Sequence, residues 1–127
     1  MDSDKKYAVK VDAQAFYLAD HSDEDNDRYV FAYNVRITNV GKIAAKVVSR
    51  HWLITNATGE VQDVRGMGVI GEQPNLAPGK CFEYSSGSEL TTDAGSMRGS
   101  YQMLAADGTR FEAIIPEFSL FVPRVLH

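Results

Sequence analysis

Residues 29–38, Tyr29-Val30-Phe31-Ala32-Tyr33-Asn34-Val35-Arg36-Ile37-Thr38, decide the fold because apolar side chains recur at every second position. Successive side chains of a β-strand point to opposite faces, so one face of this stretch is expected to meet a core. The core-facing residues would be Tyr29, Phe31, Tyr33, Val35 and Ile37. The opposite face carries Asn34, Arg36 and Thr38, which are expected to meet solvent. The stretch is therefore predicted to be a half-buried strand.

The same alternation recurs on both sides of this strand, and no helical periodicity of useful length occurs. Residues 7–18 form a predicted strand. Residues 45–55 form another, in which Val48, Trp52 and Ile54 are expected to share a face. Shorter strands are predicted at 60–65, 80–85, 96–105, 109–115 and 118–122. The sequence therefore predicts about seven or eight strands in total.

Turn residues punctuate these strands. Asp107-Gly108 predicts a hairpin with a type I′ turn, which needs positive φ at both central residues. Residues 77–80, Ala-Pro-Gly-Lys, fit a type II turn. Residues 85–88, Ser-Ser-Gly-Ser, are also interpreted as a turn. Pro116 cannot donate to a sheet ladder, so it predicts a bulge or an edge position.

Length and composition favour one domain, residues 1–127. The chain is 44% hydrophobic and 24% charged, which is ordinary for a globular protein. Many short strands with one core tryptophan predict an all-β fold, an antiparallel β-sandwich of the immunoglobulin or fibronectin type III kind. A small closed barrel is the alternative.

Several classes of function are disfavoured by composition. A single cysteine excludes an internal disulfide framework. The net charge of −4 argues against a nucleic-acid surface. No apolar run approaches the ~20 residues of a membrane helix, and the first residues lack an apolar signal core. A cytoplasmic location without membrane insertion is expected.

Residues 66–71, Gly-Met-Gly-Val-Ile-Gly, match the spacing G-x-G-x-x-G of dinucleotide-binding loops. Pro74 follows three residues after Gly71 and prevents the long helix that such sites use. A structural loop is the favoured interpretation. The alternative is an anion site built from loop N–H groups, with Arg65, Gly66, Gly68 and Gly71 as its residues.

An acidic run between the first two strands places Asp23, Asp25 and Asp27 at alternate positions. Carboxylates in this pattern could bind a divalent cation weakly, but Arg28 stands where a calcium loop needs glycine. A solvated connection is the alternative interpretation. No firm metal site is predicted.

No catalytic set is visible in the sequence. Cys81 lies in a predicted strand, where cysteine is usually a small buried hydrophobe. His21, His51 and His127 are not locally paired with a nucleophile. Neither catalytic residues nor a cofactor is expected, so the chain is predicted not to be an enzyme.

The last apolar stretch suggests an interaction surface. Phe118, Leu120, Phe121 and Val122 crowd together and make both faces of the predicted strand apolar. Such a strand is either covered twice or presents an apolar face to a partner protein or to a second copy. A homodimer is therefore one expectation.

Eight segments together form a recognisable pattern: Tyr29–Tyr33, Ile37–Asn39, Arg50–Thr55, Val64–Pro74, Leu76–Gly79, Tyr84–Gly87, Gly95–Tyr101 and Ile115–Leu120. Through these segments the sequence resembles the bacterial ApaG family over nearly its whole length. The glycine segment followed by Glu72-Gln73-Pro74 is quite specific.

The resemblance implies an immunoglobulin-like or fibronectin type III-like sandwich. It also implies a genetic link to cobalt resistance and magnesium efflux, without an established activity. Related domains in eukaryotic F-box and polymerase-interacting proteins look like protein-interaction modules. The leading hypothesis is a small non-catalytic cytoplasmic module that binds an unknown protein partner. The alternative is a binder, or a hydrolase, of pyrophosphate-containing ligands at residues 66–71.

Overall fold

The computed structural model describes residues 5–123, which form two antiparallel sheets around one shared core. Eight strands follow one another: β1 (Val9–Tyr17), β2 (Tyr29–Asn39), β3 (Ala45–Asn56), β4 (Val61–Met67), β5 (Asn75–Leu76), β6 (Cys81–Leu90), β7 (Ala94–Ala105) and β8 (Arg110–Phe121). Two single-turn 3-10 helices, Ala19–His21 and Glu24–Asn26, lie between β1 and β2. The predicted all-β class is confirmed.

The strand order is β1-β2-β6 in one sheet and β4-β3-β7-β8 in the other, where β5 also pairs with β3. All these pairings are antiparallel. The arrangement is an immunoglobulin-like β-sandwich, as the alternating pattern predicts. None of the described residues forms a helix long and apolar enough to cross a membrane.

The alternating stretch of β2 lies at the centre of the three-stranded sheet. Of its five predicted core-facing residues, Phe31, Tyr33, Val35 and Ile37 are buried, and Tyr29 is partly buried against the core. The ring of Tyr33 lies 5.4 Å from that of Trp52 on β3, so the two sheets meet through aromatic contacts. Such rings bury large areas and dominate a small core.

A β-bulge at Val48 in β3 changes the predicted register. Val47 lies opposite Met103, whereas Ser49 lies opposite Gln102, so Val48 is an extra residue. The prediction that Val48 shares the face of Trp52 is therefore wrong: Val47 is the fully buried residue. The carbonyl of Val48 accepts a hydrogen bond from the N–H of Gly68, in the glycine-rich stretch 66–72.

A second bulge lies in β8, where Pro116 and Glu117 together oppose Arg98. Because Pro116 lacks an N–H, it is tolerated at this irregular position on an outer strand. The prediction of a bulge or an edge is confirmed in both respects.

The turn between β7 and β8 is a hairpin, but it is not type I′. Gly108 has φ +87°, whereas Asp107 does not have a positive φ. The N–H of Gly108 donates to Ala105 O at 2.9 Å, as in three-residue loops that end on a left-handed glycine. The Asp107 carboxylate accepts the Thr109 N–H at 3.0 Å and holds this geometry. The type II turn is present, with Gly79 at φ +84°.

The two sides of the sandwich differ. On one side β1 packs along β8, and the rings of Tyr7 and Phe111 are 5.6 Å apart. On the other side β4 and β6 are the outer strands. Within residues 5–123, no further strand pairs with the outer edge of either. The sandwich is therefore closed on one side and open on the other.

Candidate functional site between strands β4 and β6

A groove of about 360 Å³ occupies the open side of the sandwich. Its floor is aromatic, since Tyr33 and Trp52 line it while remaining 6% and 2% exposed. Its walls come from the two outer strands: Gln62 and Val64 on β4, and Ser86, Gly87, Ser88 and Glu89 on β6. Concave sites with an apolar floor and a polar rim are typical binding sites.

Small residues on β6 create this groove. Every second residue of β6 points inward, and of these Tyr84 and Leu90 are buried. Between them, Ser86 and Ser88 take positions where larger side chains would fill the space between the sheets. The sequence interpretation of residues 85–88 as a turn is wrong, because Ser86 pairs with Tyr33 and Gly87 with Ala32 in the β2–β6 ladder.

Arg50 supplies a positive charge at one end of the groove. Its Nη1 donates to Met67 O and to Gly68 O, each at 3.0 Å. These carbonyls accept hydrogen bonds but carry no formal charge. Within residues 5–123, no carboxylate lies within 4.0 Å of its guanidinium nitrogens. Arg50 is therefore a half-buried cation with the capacity to bind an anionic group.

Two tyrosines pack behind Arg50. The hydroxyls of Tyr84 and Tyr101 form a buried hydrogen bond that joins β6 to β7. Burial raises the pKa of Tyr84 to about 12, and it raises the pKa of Tyr101 in the same direction. Both hydroxyls are consequently protonated at neutral pH, and their role there is to hold the two sheets together.

The glycine segment, residues 66–72, uses its own backbone groups. The Gly68 N–H donates to Val48 O at 2.7 Å. The N–H groups of Val69 and Glu72 donate to each other's carbonyls at 2.8 and 2.9 Å. Ile70 and Gly71 connect these two residues with φ values of +42° and +80°, which is the geometry of a two-residue type I′ turn.

Each glycine of the G-x-G-x-x-G pattern has a structural reason. At Gly66 a Cβ would lie 2.6 Å from Nη2 of Arg50. Gly68 has φ +61°, and its Cβ would lie 2.1 Å from the carbonyl oxygen of Glu72. Gly71 has positive φ in the turn. The pattern is thus accounted for by packing and turn geometry, which supports the structural-loop interpretation.

Arg65 does not face the same way as Gly66, because adjacent residues of a strand point to opposite faces. Its Nε donates to Asp63 Oδ1 at 3.2 Å, and His51 Nε2 lies 3.0 Å from the same oxygen. Both contacts lower the pKa of Asp63, and the hydrogen bond from Arg65 contributes more. The structure therefore engages Arg65 on the outer face of the larger sheet.

The expectation that no helix follows the glycines is confirmed, since residues 66–80 contain none. Phosphate binding at this segment stays a prediction. The bonded amides of Gly68, Val69 and Glu72 count against it, because a phosphate cradle needs free N–H groups.

The structure does not bring Asp23, Asp25 and Asp27 together. The 3-10 helix Glu24–Asn26 interrupts the extended backbone that would place them on one face, and Asp27 has φ +54°. Asp23 accepts a hydrogen bond from the Asn26 side chain at 2.7 Å. In residues 5–123 no three His, Cys, Asp or Glu side chains are grouped so that they could hold a metal ion.

The predicted apolar surface at the end of β8 is not one surface. Leu120 is fully buried, and the ring of Phe118 lies 5.9 Å from that of Trp52. Val122 is half-buried, which leaves Phe121 as the well-exposed member at 58%. Strand alternation is the reason, because Phe118 and Leu120 point into the core while Phe121 points out.

The remaining candidates lie apart from the groove. Cys81 is exposed at the start of β6, so the expectation of a buried cysteine is wrong. His21 belongs to the first 3-10 helix, and His51 lies on β3 beside Asp63. His127 lies outside the described residues.

Comparisons with known proteins agree with this architecture. A family model described as the ApaG domain matches residues 19–105. Protein ApaG of Chromobacterium violaceum is 59% identical over 125 residues, which cover 98% of this chain and 99% of that protein. Protein ApaG of Aromatoleum aromaticum is 57% identical over 127 residues, covering both chains completely.

A solved structure is similar as well. The crystal structure of a Bordetella pertussis protein described as ApaA has a TM-score of 0.92 and 50% identity, and the match covers 95% of this chain and 98% of that one. Fold, family model and full-length relatives all point the same way. The chain therefore belongs to the ApaG domain family.

Proposed function

We propose that the chain is a small non-catalytic binding module that acts in the cytoplasm through a protein partner, and that the groove between β4 and β6 is its contact site. The observation that carries the proposal is the uncovered edge of β6. This strand is ten residues long, and β2 is the only strand within residues 5–123 that pairs with it, on one of its two edges.

An uncovered edge presents alternate N–H and C=O groups that can pair with another chain. Natural proteins usually protect such edges with lysine, proline, bulges or a covering segment. β6 contains neither lysine nor proline, and its ladder with β2 has no register shift. The β8 edge, in contrast, carries Pro116 in a bulge and packs beside β1. This difference supports a binding role for β6.

The family resemblance adds support of a different kind. It links such proteins genetically to cobalt resistance and magnesium efflux, and related eukaryotic domains look like interaction modules. We place the effect on divalent cations in the partner. The module then influences cation efflux indirectly, by contact with that protein.

Affinity capture from the native cytoplasm tests the proposal when it compares two lysine variants. Ser86→Lys puts a long charged side chain into the groove. Ser85→Lys adds the same charge to the same strand but on its outer face. Retained proteins are quantified by mass spectrometry, and circular dichroism checks that both variants fold.

We expect a defined set of proteins to bind the parent chain and Ser85→Lys equally, and to be lost with Ser86→Lys. Equal capture by all three chains would remove the groove as the contact site. A reproducible turnover activity abolished by one point substitution would overturn the non-catalytic role.

A further inference from the structure

We propose that the groove accepts an extended segment of the partner, which adds to β6 as a further strand and places a carboxylate against Arg50. The inference rests on the proposed function and names the chemistry of the partner. Three observations within residues 5–123 carry it: one edge of β6 pairs with no strand, the floor of the groove is aromatic, and no carboxylate lies within 4.0 Å of the Arg50 guanidinium nitrogens.

The backbone of β6 fits the addition of a strand. Its ladder with β2 has no register shift, and its side chains at residues 85–88 are no larger than serine. Gly87 offers open space, since a Cβ there would meet only the Phe31 carbonyl oxygen at 3.5 Å. An added strand would gain main-chain hydrogen bonds for affinity, and its alternate side chains would enter the groove for specificity.

The two ends of the groove differ in chemistry. Its Arg50 end lies towards Gly66, which is the partner of Arg50 in the β3–β4 ladder. The other end reaches a smaller hollow lined by Glu60 and Thr91. Facing positions on β4 run from Gly66 to Gln62, four residue steps or roughly 13 Å of extended chain. About five residues of a partner segment therefore fit along it.

Charge and surface chemistry select the segment. The Arg50 end favours Asp or Glu, because a carboxylate can accept hydrogen bonds from the guanidinium N–H groups that do not donate to the carbonyls of Met67 and Gly68. The middle of the groove lies over Trp52 and Tyr33, which favours an apolar or β-branched side chain. The partner segment is thus an alternating strand with an acidic residue near one end.

A second copy of this chain fits less well. If two β6 strands paired antiparallel about Ser86, Glu83 of one copy would lie opposite Glu89 of the other. Like charges directly opposite each other destabilise a strand pair.

The experiment is a selection from a displayed library of random linear peptides on the parent chain, followed by binding measurements on Ser86→Lys and Ser85→Lys. We expect alternating sequences with an acidic residue near one end. A selected peptide should bind Ser86→Lys at least tenfold more weakly than Ser85→Lys. Changing its carboxylate to the amide should weaken binding about tenfold. Ser88→Lys repeats the test from the neighbouring wall position if Ser86→Lys does not fold.

Each other outcome overturns the inference. Failure to enrich any peptide, equal binding to both lysine variants, or indifference to the amide change would each contradict it. A parent chain that is dimeric by light scattering, with Ser86→Lys monomeric, would assign the groove to a second copy. Cytoplasmic capture that still depends on Ser86 would then leave the proposed function standing, whereas capture that ignores Ser86 would remove that function as well.

Discussion

The glycine segment, residues 66–72, and the last seven residues of β6, residues 84–90, are the two regions that invite a binding role, and they differ in which hydrogen-bonding groups they leave unsatisfied. In the glycine segment, the N–H groups of Val69 and Glu72 donate to each other's carbonyls, and that of Gly68 donates to Val48 O. Among residues 5–123, no strand pairs with the outer edge of the β6 stretch, and no carboxylate lies within 4.0 Å of the guanidinium nitrogens of Arg50 in the groove below it. A conspicuous motif can thus serve folding alone, while an inconspicuous run of serines leaves room for a ligand.

The largest expected effect comes from Gly68→Ala. A Cβ at this position would lie 2.1 Å from the Glu72 carbonyl oxygen, and the alanine would also have to adopt a positive φ. We expect a loss of about 4 kcal/mol in the free energy of unfolding, measured by urea denaturation. Gly59→Ala is the matched control, because Gly59 has φ +89° with nothing within 4 Å, and its cost should be about 1 kcal/mol. Equal costs would mean that the glycine segment is not tightly packed.

Alkaline pH should produce the next largest effect, at the Arg50 end of the groove. The pKa of Tyr84 is about 12 in the folded chain against 10.0 ordinarily. Because the folded state favours the protonated hydroxyl, this stabilisation is complete below pH 10 and is lost as pH rises towards 12. The difference of about two units between the folded and the ordinary pKa of Tyr84 corresponds to about 3 kcal/mol in the free energy of unfolding.

Urea midpoints between pH 8 and pH 12 measure this loss, with Tyr84→Phe as the control. The variant should lose less stability than the parent over the same range. Tyr101 continues to contribute in both chains, since its pKa is raised in the same direction. Identical pH profiles for the two chains would contradict burial of the Tyr84 hydroxyl.

The fold was predictable because two-residue alternation reports burial directly. The inward faces of β1 and β2 follow from it, and the turn at Gly79 follows from Pro78-Gly79. The bulge at Val48 was not predictable, because an inserted residue leaves no mark in composition. The turn type at Asp107-Gly108 was also missed, since both loop lengths accept that dipeptide.

The candidate site was less predictable. The G-x-G-x-x-G spacing drew attention to residues 66–71, while serines 85, 86 and 88 were interpreted as a turn. A signal was present, because Tyr84, Ser86, Ser88 and Leu90 continue one inward face. No local pattern shows that β4 and β6 are the outer strands of their sheets on the same side of the sandwich, because this depends on the order of strands that are distant in sequence.

A smaller effect, of opposite sign, is expected at the tip of the glycine segment. Ile70 is a β-branched residue at φ +42°, which is unfavourable for its side chain. Ile70→Asn should stabilise the chain by about 1 kcal/mol in urea denaturation, because asparagine tolerates this conformation. Ile70→Val keeps the branching and should bring no gain. A destabilising Ile70→Asn would show that the exposed isoleucine contributes packing.

The smallest effect, none, is expected when phosphate ligands are added. Pyrophosphate, ATP and a dinucleotide at millimolar concentration should leave the amide resonances of Gly66, Gly68 and Gly71 where sodium chloride of equal ionic strength leaves them. The reason is that the N–H groups of Gly68, Val69 and Glu72 already donate to carbonyls, which leaves too few free N–H groups for a phosphate cradle. Saturable shifts at these glycines would restore the pyrophosphate-binding alternative and reverse the contrast with β6.

Amide hydrogen exchange in the presence and absence of the captured partner tests most directly whether binding belongs to the β6 edge. The free chain should exchange rapidly at those amides of residues 81–90 that face away from β2, and the complex should protect them. Residues 66–72 should exchange alike in both states. New protection confined to residues 66–72, with β6 unchanged, would contradict the account.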